Sequence, residues 1–145
     1  MGRLKSLRCP KCGSEPSSNT VFRCPGCNSI LEVNVEIGDL TPSNLTAMRQ
    51  SRDSTIWRWF DFFPIAARSS IVSLGEGGTP LLHAGRLGAR LDIANLYLKN
   101  DTVLPTGSLK DRSNSVGLSK AKELGFKAAD ELIAIHCRQS KTANK

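Results

Sequence analysis

One lysine in this chain stands where an amine could act as a nucleophile. Residues 105–112 read PTGSLKDR, and Ser108 followed three residues later by Asp111 is typical of a helix start. Lys110 therefore falls in the first turn of a predicted helix. The positive end of the helix dipole disfavours a cation there, which favours the neutral, nucleophilic amine. A solvated surface lysine is the ordinary alternative for this segment taken alone.

Two cysteine pairs have the spacing of metal-binding knuckles. Eleven residues separate two C-x-x-C motifs, which consist of Cys9, Cys12, Cys24 and Cys27. Zinc takes four thiolates at the corners of a tetrahedron, and two such knuckles supply all four. Gly13 or Gly26 can adopt the positive φ that lets the backbone wrap around the sulfur atoms. The pattern predicts a zinc ribbon, and an iron site of the same geometry or two redox pairs are the alternatives.

A glycine-rich stretch and an aromatic stretch lie between these two features. Residues 75–80 read GEGGTP, in which the glycines allow a tight loop near a ligand. Taken alone, this motif is better explained by a plain turn. The spacing is not that of a Walker loop or a dinucleotide fingerprint. Residues 56–64 read IWRWFDFFP. These rings could stack on nucleic-acid bases, or they could pack as an arm on a catalytic domain.

Three motifs, in this order and at this spacing, resemble the N-terminal half of threonine synthases. They are residues 74–82 (LGEGGTPLL), 96–101 (LYLKND) and 105–112. Threonine synthases belong to the tryptophan-synthase-β-like, or fold type II, family of pyridoxal-phosphate enzymes. The resemblance covers roughly residues 55–125. Leu109 stands where this family usually has Phe, and Ser113 where Gly is common, but neither difference removes the amine.

The resemblance implies roles for the motif residues. Lys110 would bind pyridoxal phosphate covalently, with Ser108 as its neighbour at the cofactor. The loop on the substrate side of the site would consist of Glu76, Gly77, Gly78 and Thr79. Asp111 and Arg112 complete the lysine motif, and we expect them to contact each other or neighbouring loops. A similar aromatic arm precedes the glycine-rich loop in this family, and some threonine synthases also carry an N-terminal cysteine knuckle.

The resemblance also implies an activity. A threonine synthase-like lyase of threonine biosynthesis converts O-phosphohomoserine and water to threonine and phosphate. Cysteate synthase and threonine dehydratase are alternatives within the family. A stand-alone zinc-ribbon module that binds nucleic acid through its basic surface is the alternative from another class, and we expect nucleic-acid binding to be absent. The expected partners are an amino-acid phosphate substrate and, for the full-length enzyme, a second copy in a homodimer.

The composition is typical of a globular protein. The chain has 145 residues, of which 39% are hydrophobic, and a net charge of +7 that permits binding to phosphates without requiring it. It has no apolar run of transmembrane length and no signal-peptide core. Cysteines in paired spacing fit a reducing compartment better than a disulfide framework. We therefore expect a cytoplasmic protein without membrane association.

The predicted architecture is α/β. A zinc ribbon (residues 1–37) and a linker (38–54) precede an incomplete fold type II catalytic domain with a parallel sheet (55–136). The predicted elements are short strands over residues 30–35, a short helix over 41–48, a helix over 85–91, a strand over 95–99, a helix from Lys110 to Leu124 capped by Gly125, and a buried strand over 132–136.

The C-terminal residues depart from the family. After the last strand the family has a Ser/Thr-rich loop that ends in Gly-Asn, whereas residues 137–145 are polar and without pattern. The codons possible for residues 137–140, read one base later, permit Ala-Gly-Asn. We therefore expect a frameshift near His136, an aberrant tail over residues 137–145, and an inactive fragment of the encoded enzyme. The nucleotide sequence beyond codon 145 tests this hypothesis.

Overall fold

The computed structural model describes residues 3–18, 21–37 and 41–126 of the chain, which form mixed α and β structure. None of the helices in this described part is long and apolar enough to cross a membrane. The strand predicted over residues 132–136 and the tail at residues 137–145 lie outside the described residues.

The N-terminal part is a two-stranded antiparallel ladder. Strand β1 (Arg3–Arg8) pairs with β2 (Glu32–Glu36), with a register irregularity after Leu4. Leu7 and Leu31 pack with two of the cysteines in a small buried cluster. The strand predicted over residues 30–35 is confirmed as β2, whereas β1 has no counterpart among the predicted elements.

The predicted linker contains a helix that is tied to the aromatic stretch. Helix α1 (Pro42–Gln50) begins after Thr41, whose hydroxyl oxygen accepts a hydrogen bond from the Asn44 amide at 3.2 Å. Arg58 donates from Nε and Nη2 to the Met48 carbonyl oxygen, at 3.1 and 2.9 Å. These bonds add to the one that the Ser51 amide donates to the same carbonyl oxygen at the C-cap, at 3.3 Å. The helix predicted from Thr41 is therefore confirmed, and it ends at Gln50 instead of residue 48.

The aromatic stretch forms a core. Its first seven residues form a 3-10 segment, Ile56–Phe62, in which Trp57 and Phe60 are buried. Together with Ile65 they make a hydrophobic cluster, against which Val116 packs. Burial makes the rings of Trp57 and Phe60 inaccessible to nucleic-acid bases, so the packed arm is the correct interpretation of these two residues.

The second β ladder is antiparallel, and the predicted parallel sheet stays a prediction because its strand at residues 132–136 lies outside the described residues. Strands β3 (Leu81–His83) and β4 (Tyr97–Lys99) pair antiparallel, and helix α2 (Gly85–Leu91) connects them. Both ladders in the described part of the chain are antiparallel. The strand over residues 95–99 and the helix over 85–91 were predictable from local pattern. The direction of strand pairing was not, because side-chain alternation is the same in parallel and antiparallel strands.

Helix α3 (Lys110–Glu123) confirms the longest predicted helix. Gly125 follows it at φ +79°, and the Phe126 amide donates to the Ala121 carbonyl oxygen at 3.0 Å. This arrangement is the C-cap that the glycine predicted. Two short 3-10 segments, Arg68–Ser70 and Asp101–Val103, complete the described elements.

The buried face of α3 is mostly polar. Ser115 donates its hydroxyl to the Val72 carbonyl oxygen at 2.7 Å, and Ser119 accepts from the Val72 amide at 2.8 Å. One turn further on, the Glu123 carboxylate accepts from the amides of Ala66 and Ala67, at 2.6 and 3.1 Å. Side chains four residues apart share one helix face. The helix therefore binds segment 66–74 along a polar stripe instead of through an apolar face alone.

The antiparallel bridge between Thr55 and Gly77 generates a stability prediction. Gly77 has φ +135°, and a Cβ there would lie 2.7 Å from the Ile56 nitrogen and the Ser54 carbonyl oxygen. We expect Gly77→Ala to lower the free energy of unfolding by about 3 kcal/mol or more, from backbone strain and steric clash together. Urea denaturation followed by circular dichroism measures this loss.

Gly75 supplies the matched control for this substitution. It also has a positive φ, +83°, but a Cβ there would have nothing within 4 Å. Gly75→Ala should therefore cost only the backbone strain, about 1 kcal/mol. Equal losses in the two variants would contradict the close approach of the loop to residues 54–56.

Candidate cofactor and metal sites

The turn before α3 presents Lys110. Gly107 has φ +73°, and its amide donates to the Leu104 carbonyl oxygen at 2.7 Å, which closes a tight turn. The Ser108 hydroxyl oxygen accepts from the Lys110 amide at 3.2 Å. The helix starts where the motif predicted, but its N-cap residue is Leu109 and not Ser108, and Leu109 makes no side-chain capping hydrogen bond. Asp111 does not bond back to Ser108 as a capping box would require, because its carboxylate is engaged by Thr106.

The side chain of Lys110 is exposed, and its amine makes no hydrogen bond or ion pair with any described residue. The two residues that follow it point to other partners. The Asp111 side chain is buried and accepts from the Thr106 amide at 2.9 Å and from the Thr106 hydroxyl. An unpaired amine on an anchored turn fits a lysine that must react with a carbonyl group.

Arg112 joins three segments of the chain. Its Nη2 donates to the Asp101 carboxylate at 2.7 Å and to the Thr79 hydroxyl oxygen at 2.9 Å. The Thr79 hydroxyl itself donates to Asp101 at 2.8 Å. Lys99 also donates to the Thr79 carbonyl oxygen. The structure therefore brings Thr79 of the glycine-rich loop to the start of α3, as expected for Arg112 contacting a neighbouring loop.

Glu76 is buried, with only 1% of its surface exposed. Its carboxylate accepts from the Trp57 indole at 2.9 Å, from the Ser73 hydroxyl at 3.0 Å and from the Leu74 amide at 2.8 Å, and also from the Ser115 hydroxyl. The side chain thus points into the protein, whereas Gly78 of the same loop is exposed. Spacing alone did not predict Trp57 or Ser115 as partners, because they lie 19 and 39 residues away in the chain.

Two opposing effects act on the pKa of Glu76. Burial raises the pKa of this carboxyl group, but hydrogen bonds from Ser115, Leu74 and Ser73 stabilise the anion. The net effect holds the pKa below its ordinary value of 4.5. Glu76 is therefore an ionised, fully hydrogen-bonded group at neutral pH, a state in which a buried carboxylate is tolerated.

The four cysteines converge. All four Sγ atoms lie within 4.8 Å of one another, and the Cys9–Cys27 and Cys12–Cys24 pairs are each 3.4 Å apart. Tetrahedral zinc with Zn–S bonds of about 2.3 Å separates its sulfur ligands by about 3.8 Å. All four are free thiols. The cluster therefore has the donor set and the spacing of a four-sulfur metal site.

The two knuckles have the same backbone geometry. In the first, the Cys9 amide donates to the Ser14 carbonyl oxygen at 2.8 Å, and in the second the Cys24 amide donates to that of Ser29 at 2.8 Å. The residue after the second cysteine has a positive φ in each knuckle: Gly13 at +72° and Asn28 at +58°. The prediction for Gly13 is confirmed. Gly26, the alternative, is not among the glycines with a positive φ, and the second knuckle uses Asn28, a residue type that tolerates this region.

The thiols of the cluster influence each other's pKa. Hydrogen bonds from the side chain and backbone of Ser29 lower the pKa of Cys27 to about 6. The Ser14 amide lowers the pKa of Cys12, but hydrogen bonds with Cys24 and Cys9 and desolvation outweigh it and raise that pKa to about 12. Four clustered thiolates repel one another, and a bound dication removes this repulsion.

The segment with the lysine motif matches a family of known proteins. The model of the pyridoxal-phosphate dependent enzyme family matches residues 72–136, which include the glycine-rich loop and Lys110. Residues 72–136 are therefore similar to the enzymes of that family. The resemblance stated from the three sequence motifs is thereby confirmed. No solved structure matches this chain.

The relatives of this chain are threonine synthases. It is 36% identical over 118 residues to threonine synthase of Methanocaldococcus jannaschii, a match that covers 81% of this chain and 29% of that protein. It is 35% identical over 122 residues to the Methanosarcina acetivorans enzyme, again 29% of its length. A Synechocystis threonine synthase is 41% identical over 69 residues. The chain therefore spans less than a third of the length of these relatives.

The lowered pKa of Glu76 generates a prediction about acid stability. A carboxyl group whose pKa is lower in the folded state stabilises the fold above its ordinary pKa and loses this effect as the pH falls through the folded value. We expect Glu76→Gln to lower the free energy of unfolding near neutral pH by about 1–3 kcal/mol, because an amide cannot accept all these hydrogen bonds. Denaturant unfolding between about pH 3 and pH 7 should show the difference shrinking in acid.

Glu15, an exposed glutamate, supplies the control. Glu15→Gln should leave the stability within about 0.5 kcal/mol of the parent protein at neutral pH. A Glu76→Gln variant that loses no more stability than Glu15→Gln would show that the buried carboxylate does not hold the loop.

Proposed function

We propose that this chain carries the cofactor lysine of a threonine synthase-like enzyme, which converts O-phosphohomoserine and water to threonine and phosphate. The observation that carries the proposal is the exposed amine of Lys110, which has no partner among the described residues, beside the anchored side chains of Asp111 and Arg112. The family match over this segment and the names of the relatives support it. These names also favour threonine synthase over cysteate synthase or threonine dehydratase.

The residues around Lys110 suggest how the site would work. When bound, pyridoxal phosphate supplies a carbonyl group that condenses with amines and an electron sink for amino-acid chemistry. Lys110 would hold the cofactor covalently and then move protons as a general base and acid. Ser108, which is half-buried two residues before the first residue of the helix, would line the cofactor side. Gly77, Gly78 and Thr79 would border the substrate with backbone groups, while Glu76 holds their loop from inside.

For the four cysteines we propose a structural zinc site. Four sulfur ligands complete a tetrahedron and leave no position for water or substrate, which is typical of structural zinc. Cys9 and Cys24 are also buried in the small core of the N-terminal part. The metal would join two knuckles that otherwise meet only through this core. Its chemistry would be to neutralise the thiolates and to cross-link the two knuckles.

Metal content tests the zinc site. Cys24→Ser removes one of the two buried ligands, so we expect most of the bound zinc to be lost on dialysis, with elemental analysis as the measurement. Cys137→Ser is the matched control, since Cys137 is the fifth cysteine of the chain and belongs to neither motif. Full zinc content in Cys24→Ser, or an equal loss in Cys137→Ser, would refute the assignment.

Covalent cofactor binding tests Lys110. Lys110→Ala should abolish site-specific attachment of pyridoxal phosphate, measured by borohydride reduction and peptide mass mapping. Lys110→Arg should fail equally, because a guanidinium keeps the charge but cannot form the covalent bond. In a full-length enzyme that carries this segment, turnover of O-phosphohomoserine should fall about 10²-fold or more in either variant. Lys11, an exposed lysine of the first knuckle, provides the control: Lys11→Ala should bind the cofactor as the parent protein does.

A further inference from the structure

The three residues that open α3 point in different directions. Lys110 is exposed with a free amine, whereas Asp111 holds the preceding turn through Thr106. Arg112 follows Lys110 by two residues, about 200° around the helix, and therefore leaves the opposite side. From there it reaches the glycine-rich loop. The helix start thus presents one side chain outward and uses its two neighbours as anchors.

The contacts of Arg112 form a closed triangle of polar groups. Its Nη2, the Asp101 carboxylate and the Thr79 hydroxyl are each within hydrogen-bond distance of the other two, at 2.7–2.9 Å. Thr79 is buried, and the Asn100 amide also donates to the carbonyl oxygen of its neighbour Pro80 at 3.0 Å. The triangle therefore fixes the end of the loop against both the 101–103 turn and the start of α3.

Stability alone does not account for Arg112. The Arg112–Asp101 ion pair is partly exposed, with each side chain 30% accessible, and such pairs add little net stability. Arg112 Nε is also buried without a hydrogen-bond partner among the described residues, which is an energetic cost. The residue therefore brings a small gain and a definite cost to folding. Its main effect is geometric, since it sets the distance between the loop and the helix that carries Lys110.

We propose that Arg112 is a positioning residue, which holds the 75–80 loop at a fixed place relative to the Lys110 amine through Asp101 and Thr79. The inference rests on the proposed role of Lys110 as the cofactor lysine. With the triangle intact, the end of the loop is held at the start of the helix that carries the amine. Without it, the loop can move away from α3 while the hydrogen bonds of Glu76 still keep it folded. Small displacements of this kind reduce reactivity strongly.

The test measures the reactivity of Lys110 in the purified full chain with pyridoxal phosphate as the probe. After borohydride reduction, mass mapping compares labelling at Lys110 with labelling at the remote, exposed Lys11 in the same sample. Arg112→Met should lower this ratio about tenfold. Amide hydrogen exchange over residues 77–79 should become about tenfold faster, with residues 116–120 unchanged. Arg112→Lys, which can still reach Asp101, should retain a larger part of the ratio than Arg112→Met.

Two controls make the result decisive. Arg86→Met removes an exposed arginine from α2 and should change neither the ratio nor the exchange. Asp101→Asn removes the charge that accepts from Arg112 and Thr79. This variant is used in place of Arg112→Met if Arg112→Met fails to fold. Faster exchange with an unchanged labelling ratio would reduce Arg112 to a structural contact and overturn the proposal. No change in either quantity would overturn it as well.

The proposed function fails in a different way. If the parent protein labels Lys110 no more than Lys11, or if Lys110→Ala keeps its site-specific cofactor, then Lys110 is not the cofactor lysine. If Lys110 is labelled selectively but Arg112→Met leaves that selectivity intact, only the positioning role is lost. The two results are distinguishable within one set of samples.

Discussion

The buried carboxylate of Glu76 lies where three segments of the chain meet, and their arrangement depends on it. It accepts hydrogen bonds from the Trp57 indole of the aromatic core and from the Ser115 hydroxyl of α3. Within its own loop it accepts hydrogen bonds from the Ser73 hydroxyl and the Leu74 amide. A buried charge is tolerated only when hydrogen bonds replace its water. The loop therefore adopts the one conformation that delivers all these donors, and the glycines that follow Glu76 allow the chain to turn outward again at residues 77–78.

This internal anchor has a consequence for the candidate site. Because Glu76 holds the inner side of the loop, its outer side is free to face a ligand. The polar stripe of α3 extends the same principle, since Ser115, Ser119 and Glu123 bind backbone groups of the 66–74 segment. Hydrogen bonds of this kind orient a segment more narrowly than apolar contacts do. Lys110 is the first residue of the same helix, so its amine is carried by a rigid element.

The N-terminal part depends on its four cysteines instead of on a buried carboxylate. Its apolar core consists of two leucines and two cysteines, and Phe22 and Val33 beside it are about half exposed. A core of this size contributes little stability by itself, and small domains of this kind commonly depend on a metal or disulfides. An apolar cavity of about 200 Å³ separates this part from α3, with Leu7, Val21, Val116 and Leu124 in its walls. The metal site proposed for the four cysteines would thus hold together a module that packs loosely on its neighbour.

The sequence by itself determined the local features of this protein. Cysteine spacing predicted which sulfurs meet, Ser108 and Gly125 marked the ends of α3, and the motif around Lys110 identified the family that residues 72–136 match. Only the tertiary structure decided that Glu76 points inward to Trp57 and Ser115, that Asp111 turns back to Thr106, and that β3 and β4 run antiparallel. The reason is physical. Caps, turns and knuckles depend on atoms a few residues apart, so their residue types reveal them, whereas a buried polar side chain takes whichever donor the packed fold brings near, here from up to 39 residues away.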